Sequence, residues 1–136
     1  MHPKGQLMST SPGLQFEYAS GCLTVRLTGR EMIEHKEATI KAIARAIDAQ
    51  SVKAVLVDMR GLVPPYSFMD RYQIGELTAK YLSGIPLAAL ALEEQTDRQR
   101  IGQLVAINRG ARVEVFIDEA PAYAWLKKHE TSEPKS

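Results

Sequence analysis

Three short apolar runs, KAVLVDM (53–59), PLAALAL (86–92) and RVEVFI (112–117), are each separated from the next by one segment of helical period. A continuous apolar run of this length reads as a strand covered on both faces, the pattern of a central strand in a helix-flanked sheet. Strands joined through one intervening helix become parallel, right-handed neighbours. The helical segments are legible by spacing. Ile33, Ile40, Ile43 and Ile47 recur at helical intervals over about 31–50, with Ala38, Ala42 and Ala46 between them. A second helix is expected over about 67–82, with Ile74, Leu77, Tyr81 and Leu82 on its inner stripe and Gly84 and Pro86 ending it. A third, over about 96–108, carries Ile101, Leu104 and Val105 inward. A fourth follows Asp118 as its cap, with Pro121 tolerated in the first turn, where a missing N–H costs little.

Ahead of these lie LQFEYA and CLTVRLTG, which alternate apolar and polar side chains around Ser20–Gly21 and read as a hairpin with one buried face. The expected order is ββαβαβαβα: an α/β domain with a mixed sheet of about five strands and an antiparallel hairpin at its edge. One domain over 14–129 is expected, between a loose lead-in (1–13) and a loose tail (130–136).

Charge and cysteine content bound the function. Lys and Arg number 17 against 16 Asp and Glu, a net charge of +1, which argues against a nucleic-acid partner because such domains present a basic face. Cys22 is the only cysteine, so no internal disulfide can form, and its place in an apolar strand marks a small buried hydrophobe. No stretch has the roughly 18 apolar residues of a membrane-spanning helix, and the chain start lacks a secretion signal; a cytoplasmic, non-transmembrane protein is expected.

Ligands of open α/β sheets meet the carboxyl ends of parallel strands, where helix N-termini present N–H groups. The loop after KAVLVDM is the richest there, and Asp58, Arg60, Tyr66, Ser67, Asp70, Arg71 and Tyr72 form the candidate recognition surface. Ser67 with Asp70 matches a capping box, and its hydroxyl is alternatively a phosphoacceptor or a ligand-binding group, with the helix dipole and Arg71 favouring a phosphate and Asp70 opposing it. Asp58 either satisfies N–H groups at the end of its strand, holds a ligand or partner, or, with a raised pKa, acts as a catalytic acid. No second member of a catalytic pair is evident. His2, His35 and His129 are scattered without metal-ligand spacing, so no metal and no cofactor is expected. Arg98, Arg100, Arg109 and Arg112 make the third helix and its exit basic, a solvated face or an anionic-lipid or phosphate contact.

The element order and AVLVDMRGL resemble STAS domains of the anti-sigma factor antagonist (SpoIIAA-like) type. The closing NRGARVEVFIDEAPAYAWL is similar to that of a group of small bacterial proteins of that fold, related in shape to CRAL-TRIO (Sec14-like) lipid-binding modules. In the antagonist family a serine opening the helix after the Asp-bearing strand is phosphorylated by a regulatory kinase, within a motif like F-M-D-S-S-G-L-G. FMDRYQIGE in this chain places Arg71 and Tyr72 on the serine pair, whereas ungapped alignment from Asp58 places Ser67 and Phe68 there, so the acceptor position holds no serine either way. The resemblance implies a non-enzymatic regulatory or protein-binding module, with a kinase or sigma-system component as partner and homodimerisation open. The alternative is a carrier for a lipid or small apolar ligand.

Overall fold

The computed structural model describes residues 6–7, 13–29, 36–62 and 67–130. Its strands are β1 (Gln6–Leu7), β2 (Leu14–Ala19), β3 (Cys22–Gly29), β4 (Ala54–Leu62), β5 (Pro86–Leu90) and β6 (Arg112–Phe116). Its α-helices are α1 (Lys36–Gln50), α2 (Phe68–Leu82), α3 (Thr96–Asn108) and α4 (Glu119–His129), with a 3₁₀ turn at Glu93–Gln95 leading into α3. The strands form one sheet in chain order, antiparallel from β1 to β3 and parallel from β3 to β6. The expected mixed α/β sheet is present, with the two-residue β1 added at its edge, inside the stretch read as a loose lead-in. The hairpin turn is Ser20–Gly21, with φ of 55° and 80°, the left-handed pair that matches strand twist in a two-residue loop.

Chain-order strands with right-handed crossovers put successive helices on the same face. Accordingly α2 packs against both α1 and α3, while α4 folds back onto β4, β5 and β6 from the other side. The pleat sorts each central strand between two cores. Leu23, Val25, Val55, Val57, Leu87, Ala89, Val113 and Val115 meet α1–α3, whereas Ala54, Leu56, Ala88 and Leu90 meet Ala122 and Leu126 of α4. Trp125 flanks this second core, with its ring 5.9 Å from that of Phe116.

Three expectations are corrected. Asp58 does not end its strand: β4 continues to Leu62, because Gly61 and Leu62 find partners in Thr28 and Gly29 beyond a one-residue bulge in β4, where Met59 and Arg60 span the interval that Leu27 alone spans in β3. Leu104 is 60% exposed, since α3 turns Gly102, Val105 and Ala106 toward α2 and the sheet and leaves Leu104 on the outer arc. Asp118 occupies the N-cap position of α4, but its side chain makes no capping hydrogen bond. The expected first helix is described from Lys36; its expected start at 31–35 lies outside the described residues, as do His2 and His35.

Candidate functional site

The expected recognition residues divide between the two faces of the sheet. On β4, Asp58 and Arg60 lie two apart and point to the same side. That side is the α4 side, shared with Thr24 and Arg26 of β3. Asp58 is 8% exposed, and its carboxylate accepts from Arg60 Nε (3.0 Å to Oδ1), Arg60 Nη2 (2.9 Å to Oδ2), the Arg60 backbone N–H (3.1 Å to Oδ1) and Arg26 Nη1 (3.2 Å to Oδ2). Arg60 Nη2 also reaches Glu119 Oε2 at 2.9 Å, and Arg26 Nη2 lies 3.6 Å from Glu17 Oε1. Acids and arginines therefore alternate from β2 through β3 and β4 to the first turn of α4.

Burial acts to raise the Asp58 pKa, but the Arg60 hydrogen bonds together with the Arg60 and Arg26 charges outweigh it and hold the carboxyl below its ordinary value. Asp58 is thus an ionised acceptor at neutral pH, the opposite of the raised pKa that a general acid requires. Arg60 is held protonated more firmly by the same partner.

Beside this network α4 leaves the hairpin uncovered, and a groove of about 610 Å³ opens between them, lined by Glu17, Cys22, Thr24, Arg26, Glu119 and Tyr123 among others. The Tyr123 and Thr24 hydroxyls are hydrogen-bonded across it at 2.9 Å. The Cys22 thiol is pushed up to about 11, by burial first and by the Glu130 charge second, against a small opposing effect of Thr24. It is therefore a neutral thiol at neutral pH. Burial likewise raises the Tyr123 phenol, against a lowering hydrogen bond from Thr24.

The other four described residues belong to α2, on the far side of the sheet. Ser67 is the N-cap: its Oγ accepts from the Asp70 N–H at 3.2 Å, and its own N–H donates to Asp70 Oδ2 at 3.3 Å. The capping box read from the sequence is therefore formed. Tyr72 lies under Arg109, whose guanidinium is 5.7 Å from the ring centroid, while Arg109 Nη2 donates to Glu76 at 3.2 Å. Arg71 is 2% exposed and is among the residues lining a cavity of about 90 Å³ between α1, α2, α3 and the sheet. Tyr66 lies outside the described residues.

Of the basic group, Arg109 is engaged as above, Arg112 donates to the Gly84 carbonyl at 3.3 Å, and Arg100 is exposed; the Arg98 side chain is outside the description. His129 Nδ1 lies 3.0 Å from the Trp125 carbonyl. Among the described residues, no cluster of His, Cys, Asp and Glu has metal-binding geometry, and no helix is long and apolar enough to cross a membrane.

Sequence reasoning missed Arg26 and Glu119. For Arg26 a signal existed, because the alternation of CLTVRLTG sets Thr24 and Arg26 on the polar face of β3. Glu119 gave none: its contact with Arg60 depends on where α4 lands. The chain matches no protein-family model and no curated protein.

Proposed function

We propose that this protein is a non-enzymatic regulatory module of the STAS, SpoIIAA-like type, docking a protein partner through the start of α2. The observation that carries this reading is Met69: it is 58% exposed in the first turn of α2, two residues after the exposed Ser67. A large apolar side chain held outward by a reciprocally capped helix start is pre-ordered for contact, so binding there loses little conformational freedom. The element order, the hairpin-edged mixed sheet and the position of this helix start after the Asp58-bearing strand agree with the resemblance. The ionised, arginine-clamped Asp58 supports a structural role for that acid. The apolar cavity of about 90 Å³ between α1–α3 and the sheet has room for only a handful of non-hydrogen atoms, and the groove of about 610 Å³ beside α4 carries the charged Glu17, Arg26 and Glu119 in its wall, so neither favours the lipid-carrier alternative.

The test uses immobilised wild-type protein to retain a partner, which is then identified, purified and titrated calorimetrically. Met69→Asp should weaken the binary complex at least ten-fold with an unchanged melting temperature, and Ser67→Glu should weaken it as well. Equal affinity for wild type and both variants would remove the α2 start as the docking surface.

A further inference from the structure

β6 ends the sheet, and among the described residues no strand pairs with its outer edge. Such an edge is a template for another strand unless the sequence blocks it. One bond fixes which backbone groups it presents. The Ala91 N–H donates to the Phe116 carbonyl, so Phe116 turns its backbone groups toward the β5 side. Backbone direction alternates along a paired strand. Arg112 and Glu114 therefore also direct theirs toward β5, while Val113 and Val115 direct theirs outward.

A second copy of β6, laid antiparallel across a two-fold axis, must be centred on one residue for the outward groups to meet. Centring on Arg112 or Glu114 sets like charges directly opposite, which is destabilising. Centring on Val115 carries the pairing past the end of the strand at Phe116. Centring on Val113 has neither fault. The Val113 residues then exchange both backbone hydrogen bonds, and each Val115 N–H meets the Ala111 carbonyl of the second copy. Arg112 stands opposite Glu114 on both sides of the axis, in the closer, non-hydrogen-bonded pairs. Both side chains are half-buried on the α4 side, where α4 lies chiefly over β4 and β5. The Glu114 carboxylate has no hydrogen bond or ion pair with a described residue, and Arg112 has only its 3.3 Å bond to the Gly84 carbonyl.

The other side of the edge supplies apolar surface. Gly102 and Val105 of α3 lie against α2, so at about 100° per residue Leu104 and Ile107 fall on the opposite arc, where the sheet ends. They are 60% and 42% exposed. The bond from the Ala111 N–H to the Ala106 carbonyl keeps the last turns of α3 level with the start of β6, so an axis at Val113 brings these side chains toward their counterparts. We propose that two copies of this chain associate through β6, paired antiparallel about Val113, with Arg112–Glu114 pairs on the α4 side and Leu104 and Ile107 on the α3 side. This surface is separate from the start of α2.

Sedimentation equilibrium of the full-length protein tests it. Wild type should be mainly dimeric at tens of micromolar. Arg112→Glu and Glu114→Arg each place like charges opposite in both pairs, and each should weaken self-association about ten-fold or more. Mixed in equal amounts, the two variants should associate as tightly as wild type, because each position 112 then faces an opposite charge at position 114. Two variants that merely misfolded would not recover on mixing. Leu104→Lys should also weaken the dimer about ten-fold while leaving the melting temperature of the diluted monomer unchanged. A wild type that stays monomeric at hundreds of micromolar overturns the proposal and makes Glu114 a charge that keeps the edge unpaired. Equal self-association of wild type and both charge reversals, or no gain on mixing them, overturns it as well.

Discussion

Arg60 takes both oxygens of the Asp58 carboxylate from two residues along the same strand, Nε to Oδ1 at 3.0 Å and Nη2 to Oδ2 at 2.9 Å. The pleat makes this possible, since residues i and i+2 share a face. The side-by-side donors of a guanidinium match the two carboxylate oxygens, a fit that lysine could not reproduce. Because Arg60 also holds Glu119, the pair fastens the first turn of α4 to the middle of the sheet.

That pair gives stability a defined pH dependence. The folded-state pKa of Asp58 is depressed, so its contribution is fully present above the unfolded value of about 3.9 and is lost as pH falls through the folded value. Asp58→Asn should cost about 2 kcal/mol at pH 7, the scale of hydrogen bonds to a charged group. Urea denaturation of both proteins from pH 7 to pH 2.5 should show that gap constant down to about pH 5 and closing below pH 4. A gap that stays constant to pH 2.5 would mean the carboxylate charge contributes nothing.

Ser67 tests the cap separately from any role in docking. Ser67→Ala removes the acceptor for the Asp70 N–H and should destabilise the fold by about 1 kcal/mol, whereas Ser67→Asn, also a good N-cap, should cost little. Thermal melts of the two variants against wild type decide it; equal loss in both would show that the hydroxyl does something other than cap.

The fold was legible because its signals are local. Apolar runs of strand length, helical spacing of isoleucines and a Ser–Gly turn each report on the few residues around them, and consecutive crossovers leave little freedom in the order of the sheet. Ser67 and Asp70 were legible for the same reason, being three residues apart. The division of the candidate surface was not. It depends on the pleat at Asp58 and Arg60, which sends both toward α4, and on the phase of α2, which turns Arg71 inward while Met69 faces solvent. Leu104 failed similarly: Gly102 draws α3 against α2 and so selects the inward arc, an effect that side-chain hydropathy alone does not reveal.

The sole thiol should be slow to react. With its pKa near 11, Cys22 has a few hundred-fold less thiolate at pH 8 than an ordinary cysteine near 8.5. The more basic thiolate regains roughly ten-fold in intrinsic nucleophilicity. Iodoacetamide should therefore alkylate native Cys22 about twenty-fold more slowly than the urea-unfolded chain, with a rate still rising at pH 10. A native rate equal to the unfolded rate would place the thiol in an environment unlike that between β3 and α4.

The contact between α2 and α3 rests on two glycines, and these should respond unequally. A β-carbon at Gly75 would fall 2.6 Å from the Gly102 carbonyl oxygen and 2.9 Å from Val105 Cβ, so backbone must yield. One at Gly102 would meet only the Arg71 carbonyl oxygen at 3.2 Å, a contact that a small shift relieves. Alanine favours a helix over glycine by about 1 kcal/mol, which offsets part of either cost. Gly75→Ala should therefore destabilise by about 1–3 kcal/mol, the range of overpacked cores, while Gly102→Ala should fall within about 1 kcal/mol of wild type. Denaturation midpoints at constant m-value measure both, and a Gly102 variant as damaged as the Gly75 variant would mean that the helices cross elsewhere.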